Sequence, residues 1–211
     1  MEIRPARHGR HVAIITISGP ADRSPLMSAP TVKARSPAPV KTMQRHSSRS
    51  KPIIAAVNGD CIGGGLELLL STDIRAAVPT ARFGLTEVRW SIYPFGGSTI
   101  KLIQQIGYVH AMDLLLTARL IDAAQAARLG LINRLVPPDE LMGWAIETAE
   151  MIAANSPSAV QAVKRQVSAT IADHALTREA MEQQLGDAVR ASPDFAEGIA
   201  AFREKRTPRY E

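Results

Sequence analysis

The chain has 211 residues, 45% hydrophobic residues and a formal net charge of +5. These values predict a globular protein with a sizeable core and argue against a chain that is disordered throughout. Apolar runs are too short for a transmembrane helix, and the N-terminal residues contain no signal-peptide core, so we expect a cytoplasmic protein without membrane attachment. The single cysteine, Cys61, excludes an internal disulfide and fits a reducing compartment.

The positive charge is concentrated near the N-terminus. Residues 1–51 contain ten Lys and Arg residues and two acids, whereas the rest of the chain carries a slight excess of acids. A basic arm can bind nucleic acid. However, these residues include no aromatic side chain on which a base could stack. We therefore expect no nucleic-acid partner and interpret the arm as solvated.

The first half of the sequence predicts short strands joined by turns. Val12–Ile17 and Ile53–Val57 are apolar runs of strand length. The proline-rich segment 20–51 between them predicts an irregular connection. After the triple glycine Gly63–Gly65, the sequence predicts a buried helix over Leu66–Ser71 and a buried strand over Ile74–Val78. Arg82–Gly84 is predicted to be a short strand or a bend.

The second half of the sequence predicts mainly helices. Ser98 or Thr99 is a candidate N-cap for a helix that ends at Gly107, and Asp122 begins a capping-box pattern. The remaining predicted elements are helix Val109–Thr117, strand Leu131–Val136, helix Asp139–Ala154, a helix beginning at Ser156-Pro157, a further helix over Thr177–Ala191 and a last helix beginning at Ser192-Pro193.

Two glutamates are candidates for acid–base chemistry. Glu67 lies in the apolar run LELLL directly after the triple glycine, and Glu87 follows the predicted strand Arg82–Gly84. A carboxyl group in such surroundings has a raised pKa, which suits proton transfer near neutral pH. A glycine turn before a helix also presents backbone N–H groups to an anion or a developing oxyanion.

Each of these features also has a purely structural interpretation. Glutamates are usually surface residues, and Glu67 is equally placed to cap its helix. The triple glycine matches neither a P-loop nor a dinucleotide fingerprint, so a tight strand-to-helix turn explains it as well. The five histidines are scattered without metal-ligand spacing, so we expect no metal site.

Several separate motifs resemble the crotonase superfamily, specifically the enoyl-CoA hydratase/isomerase family. They are KPIIAAVNGDCIGGGLELLLSTDIRAA, ARFGLTEVRWSIYPFGGST, LLLTARLIDAAQAARLGLINRLVP and the C-terminal AFREKRTPRY, in the family's order and spacing. Together they extend over residues 51–211, and VAIITISGP resembles the family's first strand. The resemblance implies an α/β fold of stacked ββα units followed by a helical trimerisation region.

The resemblance divides the chain into two regions. Residues 1–150 correspond to the ββα core, with an irregular and shortened segment at about 20–51, and residues 151–211 correspond to the C-terminal helical region. It also implies a homotrimer or a dimer of trimers. The substrate would be an acyl-CoA thioester, with coenzyme A as part of the substrate and no separate cofactor.

Site residues follow from the resemblance position by position. Gly64 would donate its N–H to the thioester oxygen, and Glu67 and Glu87 match the glutamates that hold and deliver water. Phe202 and Lys205 match positions that approach the CoA moiety, often that of a neighbouring subunit, and Gly63 is also expected to bind CoA. The implied reaction is addition of water across the 2,3 double bond of a trans-2-enoyl-CoA.

The chain departs from the family before residue 51. The family's second oxyanion donor comes from a run resembling AGADL, which this sequence lacks, and the missing block would fall near Ala34–Pro37. Losing one such donor typically costs ~10²–10³ in rate. Two alternatives therefore stay open: another enolate reaction, such as isomerisation or dehydration, or a catalytically weak homologue that binds acyl-CoA.

Overall fold

The computed structural model describes residues 2–8, 12–18 and 50–210. Nearly all of the proline-rich connection predicted over 20–51, including the expected splice near Ala34–Pro37, lies outside these residues. In the described part of the chain, five strands form the main sheet in the order β1-β2-β3-β5-β8. They are β1 Glu2–His8, β2 Val12–Ser18, β3 Ile53–Val57, β5 Ile74–Ala77 and β8 Arg134–Leu135.

The centre of this sheet is parallel and apolar. Strand β2 pairs with β3 in parallel, with Ala13 opposite Ile53, and β3 pairs with β5 in the same sense. Every residue of β3 is buried, as expected for a strand covered on both faces. Strand β1 is antiparallel to β2 and was not predicted, because its charged residues and Pro5 do not form an apolar pattern.

A smaller sheet brings the two glutamate-bearing segments together. It contains β4 Cys61–Ile62, β6 Arg82–Gly84 and β7 Ile121–Asp122, in that order. Strands β4 and β6 are parallel neighbours, so the residues that follow them leave the sheet at the same edge. Glu67 follows β4 and Glu87 follows β6, which explains their proximity.

Helices surround the sheets. Within residues 50–210, the α-helices are α1 Gly64–Leu69, α2 Ser98–Ile106, α3 Tyr108–Thr117, α4 Ala123–Arg128, α5 Leu141–Ala153, α6 Pro157–Ala191 and α7 Pro193–Glu204, and a 3₁₀ helix spans Glu87–Trp90. Helix α5 packs against β2 and β3 and completes the core on that side. The predicted boundary at residue 150 falls within α5 and stays a prediction.

The structure confirms two of the predicted helix starts. The Asp122 carboxylate accepts a hydrogen bond of 2.6 Å from the Gln125 N–H at the start of α4. The Ser156 hydroxyl accepts one from the Ala159 N–H at the start of α6. Asn, Asp, Ser and Thr are suited to this position because their side-chain oxygens satisfy N–H groups that have no partner within the helix.

Three details of the predicted elements were wrong. Neither Ser98 nor Thr99 is the N-cap of α2, because Gly97 holds that position in a left-handed conformation, with φ 68°. Strand β8 covers only two residues of the predicted Leu131–Val136. Thr177–Ala191 is not a separate helix but the C-terminal part of α6, since no proline interrupts the 35-residue helix after its first position.

Candidate active site

Glu67 is held at the buried start of helix α1. The helix begins after Gly63, whose φ of 57° favours glycine, and Glu67 lies in its first turn. The Gly63 N–H donates to the Gly84 carbonyl at 2.9 Å, which fixes the turn to strand β6. Only 9% of the Glu67 surface is exposed. Glu67 is therefore not the surface acid of the structural interpretation.

Glu87 approaches the same turn from the 3₁₀ helix. A Cβ atom on Gly63 would lie 3.0 Å from Glu87 Oε1, so the absence of a side chain at Gly63 gives this carboxyl its room. Glu87 is 7% exposed. Its Oε2 is buried and has no hydrogen-bond partner among the described residues. This oxygen is therefore a buried acceptor that the described part of the structure leaves unsatisfied.

Both carboxyl groups are expected to exchange protons near neutral pH. Burial, with a further contribution from the charge of Glu87, raises the pKa of Glu67 to about 8. Burial raises the pKa of Glu87 to about 7. Because the two groups interact, their protons are lost in steps that belong to the pair. One protonated and one ionised carboxyl can then coexist at physiological pH.

Gly64 is the first residue of helix α1. Its N–H belongs to the first turn, where backbone donors have no partner within the helix. Apart from its chain neighbours and the backbone of its own helix, no described atom lies within 4 Å of the position that a Cβ on Gly64 would occupy. A side chain at position 64 would therefore meet no neighbour outside its own helix, and the role of the Gly64 N–H as an oxyanion donor stays a prediction.

The structure also places Lys101 and Glu182 near Glu67, and neither was predicted from the sequence. Lys101 is only 1% exposed although it carries an ammonium group. Its charge and that of Glu182 both act on Glu67. For Lys101, a signal was present in the sequence: it lies on the helical stripe of Ser98, Leu102 and Gln105. No local signal marks Glu182.

Phe202 and Lys205 line a separate cavity of about 870 Å³. The Phe202 ring meets Trp90 edge to face, with ring centroids 5.1 Å apart. Basic side chains are prominent in the lining, namely those of Arg82, Arg89, Lys205 and Arg206. Glu67 and Glu87 do not line this cavity. The structure therefore brings together Gly63, Glu67 and Glu87 but not the two C-terminal residues with them.

Other kinds of site find no support in the described ranges. Among these residues, no group of three or more His, Cys, Asp and Glu side chains is placed to hold a metal ion. None of the described helices is long and apolar enough to cross a membrane. The Cys61 thiol is fully buried, and this burial raises its pKa, so it is not a nucleophile.

Comparison with known proteins identifies relatives that are hydratases. Residues 32–211 match the family described as enoyl-CoA hydratase/isomerase. The chain is 43% identical over 175 residues to enoyl-CoA hydratase EchA19 of Mycobacterium tuberculosis, which covers 83% of this chain and 66% of that protein. It is 39% identical over 166 residues to the short-chain-enoyl-CoA hydratase of Clostridium acetobutylicum, covering 79% and 64% respectively. The chain thus spans just under two thirds of the length of these curated relatives.

A solved structure confirms the predicted fold class. The carnitinyl-CoA hydratase of Mycobacterium avium superposes with a TM-score of 0.81 at 28% identity, covering 99% of this chain and 98% of that one. The α/β crotonase-like fold is therefore correct, whereas the trimerisation role of the C-terminal helices stays a prediction. With the family match extending over most of the sequence, the chain belongs to the enoyl-CoA hydratase/isomerase family.

Proposed function

We propose that the protein hydrates the 2,3 double bond of a trans-2-enoyl-CoA. The observation that carries this proposal is the pair of buried carboxyls, Glu67 and Glu87, that meet at the Gly63 turn with pKa values raised toward neutrality. The names of the relatives support the same reaction class. Because the chain spans only part of their length, its activity and substrate are proposals.

The reaction requires three contributions from these residues. The Gly64 N–H binds the thioester oxygen and stabilises the negative charge that develops there. One carboxylate accepts a proton from water as the water oxygen forms its bond to C3. The other, protonated carboxyl gives its proton to C2. The product is a 3-hydroxyacyl-CoA, and the total proton count of the pair is unchanged.

The buried environment supports this division of labour. Two ionised carboxylates at close range repel each other, and both are desolvated, so the pair retains a proton near neutral pH. Glu87 Oε2 has no hydrogen-bond partner among the described residues, so we assign it as the acceptor for the proton of the water. Proton transfers of this kind typically contribute ~10²–10⁴-fold to the rate.

The basic cavity beside Phe202 and Lys205 supports binding of the CoA phosphates. Arginine and lysine side chains suit phosphate groups, and the Trp90–Phe202 pair gives the cavity an aromatic wall. Because neither Glu67 nor Glu87 lines this cavity, we propose that it receives the CoA of a neighbouring subunit in a homotrimer or dimer of trimers. We further propose a cytoplasmic protein that requires no cofactor beyond the CoA of its substrate.

The absent AGADL-type run motivates a second candidate function. Without that second oxyanion donor, the protein would bind acyl-CoA thioesters but turn them over weakly. Isomerisation of a 3-enoyl-CoA is the other alternative, since the family description includes isomerases. Both carboxyls are retained in this chain, which favours hydration over either alternative.

A spectrophotometric assay with crotonyl-CoA tests the proposal. Hydration removes the conjugated enoyl absorbance, and we expect Glu67→Gln and Glu87→Gln each to slow it by ~10²–10⁴-fold. Glu147→Gln is the matched control, because this exposed glutamate of α5 lies far along the chain from the site and should leave the rate unchanged.

Each alternative gives a different result. Thermal stabilisation by acyl-CoA without turnover would favour the weak homologue. Chromatography of a 3-enoyl-CoA incubation would detect an isomerase as a shifted double bond with no hydroxyl gained. Absence of both turnover and stabilisation would contradict all three functions.

A further inference from the structure

The turn Phe95–Gly97 is held from two sides by charged residues. The Lys101 ammonium donates to the Gly96 carbonyl at 2.8 Å. The Glu182 carboxylate, on helix α6, accepts from the Gly97 N–H at 2.9 Å. Gly96 and Gly97 both have positive φ, with values of 73° and 68°. Glycine loses more backbone conformational entropy on folding than any other residue, so a turn with two glycines needs contacts that hold it in place.

This turn contacts the acid–base pair directly. The Phe95 N–H donates a hydrogen bond to the Glu67 carboxylate, which favours its ionised form. The position of that donor depends on the two following residues, because they share a continuous backbone with it. Whatever holds Gly96 and Gly97 therefore also orients Glu67.

Lys101 also contacts the segment that follows helix α1. Its ammonium donates to the Ser71 hydroxyl at 3.1 Å. Ser71 lies two residues beyond Leu69, where the helix ends. Burying an ammonium group is costly unless it is paired with opposite charge. Glu67 and Glu182 are the carboxylates that interact with it, and burial still lowers its pKa to about 8.

Helix α6 contacts the turn through Gly186 and Arg190 as well as through Glu182. A Cβ on Gly186 would lie 2.1 Å from Phe95 Cζ, so the ring occupies the space that a side chain would fill. The Arg190 guanidinium lies 4.9 Å from the centroid of the same ring. Glu182, Gly186 and Arg190 are spaced by four residues and lie on one helix face. The helix therefore docks on the turn through a continuous contact.

We propose that Lys101 and Glu182 are positioning residues, whose opposed charges hold the Phe95–Gly97 turn and fix the environment in which Glu67 exchanges its proton. This role rests on the proposed function, since it concerns Glu67 as an acid–base group. Under this proposal, the glutamate pair has its working pKa values only when helix α6 is packed against the turn.

The two charges act on Glu67 in opposite directions. The groups whose charges act on Glu67 are Glu87 and Glu182, which raise its pKa, and Lys101, which lowers it. Lys101→Met therefore raises the pKa of Glu67 further. Glu182→Gln lowers it while keeping an oxygen that accepts from the Gly97 N–H. A residue with only a structural role would not produce opposite shifts.

Carboxyl ¹³C NMR titration of the Glu-labelled protein tests this directly, with Glu67→Gln identifying the signal. We expect the pKa of Glu67 to move by about one pH unit upward in Lys101→Met and downward in Glu182→Gln. Lys101→Arg retains the charge and should restore the wild-type value. Lys164→Met removes another lysine that pairs with an acid, Asp73, away from the site, and should cause no shift.

Kinetics supply the second measurement. In Lys101→Met we expect kcat for crotonyl-CoA to fall ~10–100-fold with little change in KM. Shifts in the same direction, or no shift in either variant, would overturn the proposal. If Lys101→Met does not fold, Glu182→Gln alone decides, because an unchanged Glu67 pKa there refutes the role. If the wild type does not hydrate the substrate, the proposed function fails but the titration still tests the positioning.

Discussion

Two buried charged side chains, Arg75 and Glu87, have opposite surroundings. The Arg75 guanidinium donates from Nε to the Thr72 hydroxyl at 3.0 Å. Its Nη1 donates to the Leu131 carbonyl at 3.0 Å, and its Nη2 to the Thr72 carbonyl at 2.9 Å. These contacts join strand β5 to the segment before β8. A buried charge satisfied by its surroundings in this way is part of the framework.

Glu87 is equally buried but incompletely satisfied. Among the described residues, its Oε2 has no hydrogen-bond partner, and its Oε1 points toward a glycine. Burying such a group destabilises the fold, which is expected where a carboxyl is retained for chemistry. For these two residues, hydrogen-bond satisfaction rather than burial distinguishes the structural charge from the one proposed to be reactive. Four predictions test it, in order of decreasing effect.

Arg75→Met should cause the largest loss of stability. The substitution leaves two buried carbonyls and the Thr72 hydroxyl without their donor, so we expect the free energy of unfolding to fall by about 3–5 kcal/mol. Urea denaturation measures this change. A loss below about 1 kcal/mol would show that the guanidinium is not part of the framework.

Glu87→Gln should stabilise the protein at high pH. When an acid has a higher pKa in the folded protein than in the unfolded one, the protein loses stability as the pH rises from the unfolded pKa through the folded pKa. For Glu87 this interval runs from 4.5 to about 7, which corresponds to a loss on the order of 3 kcal/mol. The wild type should therefore lose more stability than Glu87→Gln between pH 5 and pH 8.

Denaturation of both proteins at the two pH values checks this expectation. Glu147→Gln serves as the control, since an exposed glutamate should leave the pH dependence of the wild type intact. Parallel pH profiles for the wild type and Glu87→Gln would mean that Glu87 is solvated in the folded protein.

Gly63→Ala should have an intermediate effect. The residue has φ 57°, and the new Cβ would lie 3.0 Å from Glu87 Oε1. We expect a cost of about 1–3 kcal/mol together with reduced hydration activity, because the carboxyl must move. Gly143→Ala, in helix α5 with open space around it, is the matched control and should instead stabilise by about 0.5–1 kcal/mol. Equal effects of the two substitutions would contradict the close approach.

Arg82→Gln should have the smallest effect. Arg82 forms an ion pair with Asp60 at the surface. Exposed pairs contribute little, so we expect the free energy of unfolding to change by less than about 1 kcal/mol in thermal or urea denaturation. A loss as large as that of Arg75→Met would show that a hydrogen-bonded charge stabilises the fold as much at the surface as in the core.

The sequence predicted those features that have local causes. Strand β3 and the helix starts at Asp122 and Ser156 follow from apolar runs and capping side chains. The GGGLE turn was predicted because its three glycines and its acid lie within five consecutive residues. The roles of Gly64, Phe202 and Lys205 were assigned only through the resemblance to the family. The comparisons confirm the family, and the roles of these residues stay predictions.

The remaining features depend on contacts between distant parts of the chain. Strand β1 forms because β2 offers it an edge, although its own composition is unfavourable. The approach of Glu87 to Gly63 depends on parallel pairing of β4 with β6. Glu182 meets Gly97 across 85 residues of sequence, a separation at which no local pattern is informative.

That last contact has a consequence for how the protein is made. Glu182 lies 85 residues after Gly97 in the sequence. At a synthesis rate of about 5–20 residues per second, it therefore leaves the ribosome roughly 4–17 s later. During that interval the nascent chain already contains Glu67, Glu87 and their glycine turn. The hydrogen bond from helix α6 that holds the turn is still missing. The newly synthesised protein therefore acquires its finished site late, only once helix α6 has emerged.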